Sequence, residues 1–528
     1  MPNKGKHITI PPDVLEQLVN YGYREAGAST SKRSLRGFSQ RSSDTVKDID
    51  ENLYSLWNRS RMLYMDEPYA TSALKTIRTN AIGTGLRLKP RLNRDILHMA
   101  NGEADILERQ IQHEFHMWAC NKNHCDSLGV NDFYELQQLA FLSSLMSGDV
   151  FCLIEKDFKK DPSNPYPLRL RVIEADRVST PLDADNYNYI SPGVSTVVSK
   201  TKAGNIIRNG IELDRKGKVV AYHICNAYPN EVPIDGSEKK WTRVLAYGQR
   251  SKLPNVLHVM NAERPEQYRG VPLLAQVIDP LEQLRRYTEA ELTAAVIEAC
   301  YTIVWKHADA DDELNEAYGE GEEVPHNEYE MQFAPGAVVD ADIDDEIQAI
   351  DPKRPSSGFK NFDESIATKI GAAIEVPKDV LMKSHSSSYS ASRASQLEAN
   401  KTFKMYRGWF VSDFVQPVYE IWFNEAVASG RIDAPGYFAD PIIRAAYTNA
   451  EWVGPAMGQI DPVKEVTANV MKINNGLATH EDIATEMGAG DFDHIVDQLK
   501  MENDRLQDAA VNTEQNIRYT EREYYQDG

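Results

Sequence analysis

Three groups of residues have types and spacings that could do chemistry. The first is His113, His116, Cys120, His124 and Cys125. On a helix His116 and Cys120 lie one turn apart, so a zinc site is conceivable. The cluster matches no standard zinc-ligand spacing, and its Lys- and Asn-rich surroundings read as a solvated helix end. The second is the run Lys383-Ser384-His385-Ser386-Ser387-Ser388-Tyr389. A serine nucleophile needs a positioned base and a strained G-x-S-x-G elbow, and only a nearby histidine is present. This run reads as a polar loop. The third is an acidic stretch from Ala308 to Glu330, including Asp309, Asp311, Asp312, Glu313, Glu316, Glu320, Glu322 and Glu323. Carboxylates this dense could bind calcium, but the D-x-[DN]-x-[DN]-G-x₅-E order is missing, so a solvated insertion is expected. No phosphate-binding G-x-x-x-x-G-K-[ST] and no G-x-G-x-x-G occurs. An ATP-driven motor is therefore not expected. No catalytic set, metal site or cofactor site emerges.

The elements that would position these groups can be read from periodicity. Thr45 to Ala81 is helical in pieces and ends at Ile82-Gly83-Thr84-Gly85. Glu103 to Trp118 and Asn131 to Ser147 are amphipathic helices, the second turning at Gly148-Asp149 into the strand Val150 to Ile154. Leu168 to Val178 reads as a strand. Asn205 to Asp214 and Val219 to Ile224 read as the arms of a hairpin. Short strands from Thr242 end at Val256 to Val259. The region is mixed α/β, with antiparallel strands expected.

A breaker-rich turn, Arg264-Pro265 to Arg269-Gly270, opens the next helix. Asp279-Pro280-Leu281-Glu282 looks like a capped start, and the apolar repeat runs on to Trp305. Ser357 to Ile374 carries the stripe Phe359, Phe362, Ile366, Ile370 and Ile374, stopped by Val376-Pro377. A second long helix is expected from Ala391 to Ser429, with Pro417 as a possible kink. Asp433 to Gly454 is irregular and aromatic. Asp461 to Asn474 and Thr479 to Met487 follow as short helices, and the polar stretch from Asp491 to Tyr525 holds an early helix.

The chain has 528 residues and a formal net charge of −21. Two to four domains fit that length. No run of 18 or more apolar residues occurs, so no membrane partner is expected, and the N-terminus lacks a secretory signal. Five cysteines without framework spacing point to free thiols. A protein that grips nucleic acid is usually basic. This one is either indifferent to nucleic acid or lets it pass unheld. The clearest basic stretch is the Ser- and Gly-rich segment carrying Lys32, Arg33, Arg36 and Arg41.

Several stretches resemble the lambda-type portal proteins of tailed bacteriophages. They are Arg59-Ser60-Arg61 to Glu67-Pro68-Tyr69-Ala70 with Asn80 to Gly85, Gly210 to Asp214 with Ala221 to Ile224, Arg264-Pro265-Glu266-Gln267-Tyr268-Arg269-Gly270-Val271-Pro272, and Tyr389-Ser390-Ala391-Ser392-Arg393-Ala394. In family order they span about residues 45 to 430.

The resemblance implies a non-enzymatic, mainly helical α+β protein that forms a ring, usually a dodecamer, at one capsid vertex. It implies double-stranded DNA passing non-specifically through the channel. Implied partners are the terminase large subunit, the major capsid and scaffold proteins, and a head-completion or tail connector protein. Laid on this chain, residues 1–44 become a flexible basic arm, 45–270 an α/β wing, 271–306 a first stem helix and 307–355 a small α/β clip. Residues 356–377 become a second stem helix, 378–392 a tunnel loop, 393–430 a long helix, and 431–528 a helical crown with a polar tail. The clip acids named above would then face the terminase and later the connector. Lys378, Lys383, Ser384, His385, Ser386, Ser387, Ser388 and Arg393 would line the DNA channel. A conduit suits few, scattered cations, because each fixed phosphate contact would impede sliding. Two rival readings are a soluble structural adaptor without a channel, and a metal- or serine-dependent hydrolase.

Overall fold

The computed structural model describes residues 32–35, 37 and 43–508, except 159–162, 182–197, 202–203, 229–230, 234, 300–302, 307–345, 350–358, 385–387, 457–461 and 489–491. The protein is mainly helical, with small antiparallel sheets.

A π-helical turn, Val46–Asp50, precedes α1 (Leu53–Asp66) and α2 (Pro68–Ala81). The break between the two helices is at Glu67, which is extended, as the residue before a proline must be, and whose side chain caps α2. Strand β1 (Arg87–Pro90) leads to α3 (Asn101–Ala119) and α4 (Phe133–Ser147). A capping box between Asp132 and Glu135 starts α4. Strands β2 (Asp149–Lys156) and β3 (Leu168–Glu174) follow, then β4 (Val198–Lys200), β5 (Ile206–Arg208), β6 (Ile211–Leu213), β7 (Val219–Cys225), β8 (Trp241–Leu245) and β9 (Val256–Met260). They form a three-stranded sheet in the order β3-β2-β9 and a five-stranded meander β4-β5-β6-β7-β8. All their ladders are antiparallel. The stretch expected as one hairpin arm, Asn205 to Asp214, is instead two strands folded at Asn209-Gly210. Both of these residues have positive φ, the conformation that an Asn-Gly hairpin turn requires.

A 3₁₀ turn, Ala275–Val277, runs directly into α5 (Ile278–Ala299). The expected cap at Asp279 is therefore already inside the helix. Asp279 accepts from Gln283 Nε2 at 2.8 Å, and Glu282 pairs with Arg285 and Arg286. Nor does the helix reach Trp305. Ile303–Lys306 is β10, paired antiparallel with β11 (Glu346–Ala349). The β-branched and aromatic residues there favour a strand once a partner is supplied from beyond the acidic stretch.

Next come α6 (Phe359–Ala373), the one-turn α7 (Lys378–Leu381) and α8 (Tyr389–Phe410). A π-turn at Val411–Val415 joins α8 to α9 (Gln416–Ala428). Pro417 offers no amide and crowds the carbonyl four residues back, so the helix widens just ahead of it. The segment expected to be irregular contains α10 (Pro441–Thr448), capped by Asp440, and β12 (Ala450–Val453), which pairs with β1. The described residues close with α11 (Pro462–Asn474), α12 (His480–Glu486) and α13 (Phe492–Asp508). Thr479 and Asp482 form the capping box of α12, as the sequence indicates. No described helix is long and apolar enough to cross a membrane.

One core runs through most of this. It joins Leu74 and Ile77 of α2, Phe115 and Trp118 of α3, and Phe133 and Phe141 of α4 to Phe410, Phe414, Tyr419 and Trp422 of the long helix. Ile370 and Ile374 at the end of α6, and Tyr437, Tyr447 and Trp452, belong to it too. Ile432, Ala434, Tyr437, Tyr447 and Trp452 of segment 431–453 thus pack in the same core as these helices.

Candidate functional site

The polar loop between α6 and α8 is held by its ends. Val376 and Leu381 are buried in the main core. Ser72 Oγ of α2 donates to Leu381 O at 2.9 Å, and Tyr69 OH of α2 donates to the Asp363 carboxylate at 2.9 Å. Burial, then the Asp363 carboxylate, pushes the Tyr69 hydroxyl up to about 12, so it stays a donor. The chain turns back at Glu375, just ahead of Val376, and at Lys383, just past Leu381, both with positive φ.

The loop residues differ in what they touch. Lys378 Nζ donates to Glu364 Oε2 at 3.1 Å, which ties the loop's first turn to α6. Arg393 Nη2 lies 3.1 Å from Glu465 Oε1 of α11, which ties α8 to the C-terminal helices. Lys383 and Ser384 are exposed, and Lys383 makes no ion pair among the described residues. Ser388 precedes α8 and lies 3.3 Å from Ser390 through the hydroxyls. His385, Ser386 and Ser387 lie outside the described residues. So do the acids Asp309, Asp311, Asp312, Glu313, Glu316, Glu320, Glu322 and Glu323; the described strands on either side of residues 307–345, β10 and β11, pair with each other.

The helices flanking the acidic stretch pack on each other through Tyr287, which meets Phe359 at 5.6 Å and Phe362 at 4.7 Å between ring centroids. Leu281 and Leu284, at the start of the α5 stripe, are buried. Further along, Leu292 and Val296 are 67% and 57% exposed, and Phe362 on α6 is 40% exposed. The stripe thus continues past the surface that the described residues cover.

What holds α5 to the α/β region was not visible in the sequence. The motif arginine, Arg269, is fully buried, and its donors are all used. Nε and Nη2 bind the two oxygens of Asp149 at 2.7 and 3.2 Å. Nη1 reaches Val178 O and Asn209 O at 2.9 and 2.7 Å, and Nη2 reaches Ala175 O at 2.8 Å. The rings of Trp57 and Phe151 lie 4.8 and 5.3 Å from the guanidinium. Asp149 also accepts from the Gly270 amide at 3.1 Å and lies 3.2 Å from His258 Nε2. Burial alone would raise the Asp149 carboxyl, but the Arg269 charge and the hydrogen bonds outweigh it and hold it at about 2. Burial lowers His258, which stacks on Phe151 at 4.3 Å, so it stays neutral. Gly148 and Gly270 touch backbone to backbone. A Cβ on Gly270 would sit 1.9 Å from Gly148 O, and one on Gly148 would sit 2.4 Å from Gly270 C. The Arg-Gly pair is therefore a clasp on the Gly148-Asp149 turn. The signal that could have found it is the Gly-Asp directly before a strand, where a buried carboxylate needs a cation.

A second buried carboxylate, Glu212, receives Arg243 Nε at 2.6 Å and Asn205 Nδ2 at 2.7 Å, with His223 Nε2 at 3.2 Å. Burial opposes its ionisation, yet these bonds hold it at about 2. The His/Cys cluster does not assemble. His116 and Cys120 adjoin at 3.4 Å, but Cys125 is buried and bonds toward Ala119 O and Asn131 O, while His124 meets Asn121. Among the described residues no group of three or more His, Cys, Asp or Glu converges as a metal site. The four described cysteines are free.

Among the described residues the arrangement is one of structural clasps, a presented loop and exposed apolar helix faces. That is the outline of an assembly protein. The chain belongs to the lambda family of phage portal proteins: residues 31–407 match the family described as "Phage portal protein, lambda family". It is 22% identical to Portal protein B of Escherichia phage lambda, over 93% of this chain and 92% of that one. It is also 22% identical to the portal protein of Escherichia phage N15, over 95% and 94%. With the probable portal protein of Halomonas phage phiHAP-1 it shares 23% identity, over 86% and 81%. A chain in the neck of the native gene transfer agent particle, computed with C12 symmetry, superposes with a TM-score of 0.40 at 13% identity, over 83% of this chain and 93% of that one. The protein is a portal component of the virion at the head–tail connection, and it is structural, not enzymatic.

Proposed function

We propose that copies of this chain close into a dodecameric ring at one capsid vertex. Its axial channel passes double-stranded DNA inward during packaging and outward during ejection. The ring also docks the terminase large subunit and then head-completion and tail proteins, while its rim meets the major capsid and scaffold proteins. The observation that carries the ring is the uncovered apolar run on α5 and α6, Leu292, Val296 and Phe362. Closed rings are built from one repeated head-to-tail contact, and such a face is what one copy offers the next.

In this reading α5 and α6 are the stem helices, and the acidic stretch between them is the clip that meets the terminase. Residues 378–392 form the loop beside the DNA. The loop chemistry suits a conduit. Lys378 and Arg393 are each drawn into ion pairs within the chain, which leaves Lys383 and serine hydroxyls to meet phosphate weakly. Electron microscopy of the purified protein tests this. Rings with a central hole wide enough for duplex DNA are expected, and a uniform monomer at high concentration would overturn the reading. Deleting Ser384 to Ser388 should leave the ring intact and impair packaging.

A further inference from the structure

The five-stranded sheet has two ends of opposite character. Its strands alternate in direction, so the turn 201–205, the turn 214–218 and the loop 246–254 all emerge at one end. Ala246 N donates to Val220 O at 2.9 Å, which sets the last two side by side. Lys200 stands at the end of β4 that leads into the first turn. Arg215, Lys216 and Lys218 lie on the second, and Arg250 and Lys252 on the third, all five exposed. None of these five makes an ion pair among the described residues. The acid in their midst, Asp214, spends one oxygen on the amides of Lys216 and Lys218 at 2.8 and 2.9 Å. Glu212 is buried beneath Arg243 and is not presented. At the opposite end, the β7–β8 connection carries Glu231, Asp235 and Glu238 with Lys239 and Lys240.

On a chain of net charge −21, a mainly cationic edge, with five exposed cations around the acid Asp214, focuses the field toward an anionic partner. A protein partner would call for an apolar centre within the patch. Among the described residues at this end, Tyr247 is the one large exposed apolar side chain. Exposed Lys and Arg on turns, without an apolar centre, suit a polyanion instead. The sheet end is about 20 Å across its five strands. Duplex DNA presents about one phosphate per 1.7 Å of axis, enough to meet every cation over that length.

We propose that this end of the sheet is a second, sequence-independent contact for the phosphate backbone of double-stranded DNA, distinct from the channel loop. It rests on the reading of the protein as a DNA conduit, and it adds a surface where DNA is held and not merely passed. Its five turn cations make no ion pair among the described residues, in contrast to Lys378 and Arg393. The contact is electrostatic and so strongly salt-dependent.

The test is fluorescence anisotropy of a short random-sequence duplex with the full-length protein, from about 25 to about 200 mM salt. The variants are R215Q/K216Q/K218Q, R250Q/K252Q, the opposite-end control K239Q/K240Q, and K383Q in the channel loop. Either turn variant should lower affinity about tenfold at low salt. The triple variant should reduce the log–log salt slope by about 2 to 3, at about 0.9 per lost phosphate contact. The control should bind as wild type. Unchanged affinity and slope in both turn variants, or no binding by wild type at low salt, would overturn the proposal. So would tighter binding of polyglutamate than of DNA, which would point to an acidic protein. Loss with K383Q alone would overturn it and leave the channel reading standing. Failure to form rings, with DNA binding still lost at the turns, would count against the conduit and not against this contact. Two separate turns and unchanged thermal melting guard against misfolding.

Discussion

Two parts of this molecule are attached to the same body by opposite means. The start of α5 is locked by Arg269, which is fully buried, bidentate on Asp149, and satisfied by three carbonyls. The C-terminal helices α11 to α13 are joined through ion pairs that are mostly half-exposed, with Lys89 the one buried member among those described. Arg393 meets Glu465, Lys89 and Arg91 both meet Glu481, and Arg109 lies 3.8 Å from Asp497. Only Ile483 and Ala484 are buried among the described residues of those three helices. Val463, Met471, Leu477 and Met501 are exposed. A buried clasp specifies one geometry, because any displacement strands a charge in the core. Exposed pairs hold weakly and can re-form elsewhere. The comparison separates a joint with one fixed geometry from a unit whose attachments can re-form elsewhere.

Breaking the clasp should have the largest effect. Arg269→Met leaves Asp149 buried without its cation and should cost about 3–5 kcal/mol, read as a lowered urea midpoint. Gly270→Ala should be comparably damaging, since its methyl would enter the Gly148 backbone. A stable, ring-forming Arg269→Met protein would show that the clasp is not what fixes α5.

Acid provides the next test. The carboxyls of Asp149 and Glu212 are both held at about 2, below their ordinary 3.8 and 4.5. The stability they contribute is complete above the ordinary values and is lost as pH falls toward about 2. Asp50 has the opposite sign. Burial raises it to about 6, against the nearby Arg269 charge, so ionising it costs stability as pH rises from about 4 to about 6. Urea midpoints against pH should therefore fall steeply on the acid side for wild type. Asp50→Asn should remove the decline between about 4 and about 6, and an identical profile in that variant would refute the assignment.

The smallest effect should come from the C-terminal helices. Asp497→Asn should change global stability by no more than about 1 kcal/mol, because its pair with Arg109 is solvent-exposed. Hydrogen exchange in residues 462–508 should nevertheless quicken, both in that variant and in wild type at about 1 M salt, where screening is strong. Exchange there as slow and as salt-independent as at Arg269 would erase the contrast between the two attachments.

Much of this was legible locally. The capping boxes at Asp132 and Thr479, the break at Pro68, the apolar faces of α2, α4 and α8, and the β6–β7 hairpin follow from neighbours within a few residues. The motifs that reveal the portal family are equally local in sequence. The candidate loop could be located by its serines, but not the ion pairs that engage Lys378 and Arg393. Asn209-Gly210 was legible as a turn and went unread because the flanking strands are only three residues each.

What the sequence determined by itself is this set of helices, caps and turns, since their hydrogen bonds close over three or four residues. What only the tertiary structure decided are pairings across long loops. Asp149 finds Arg269, β1 finds β12, and Ile303–Lys306 becomes a strand because Glu346–Ala349 returns to it. Such contacts depend on which distant groups are buried together, and a buried carboxylate accepts whichever cation the fold delivers. Nothing in the local pattern around Asp149 says which arginine that will be.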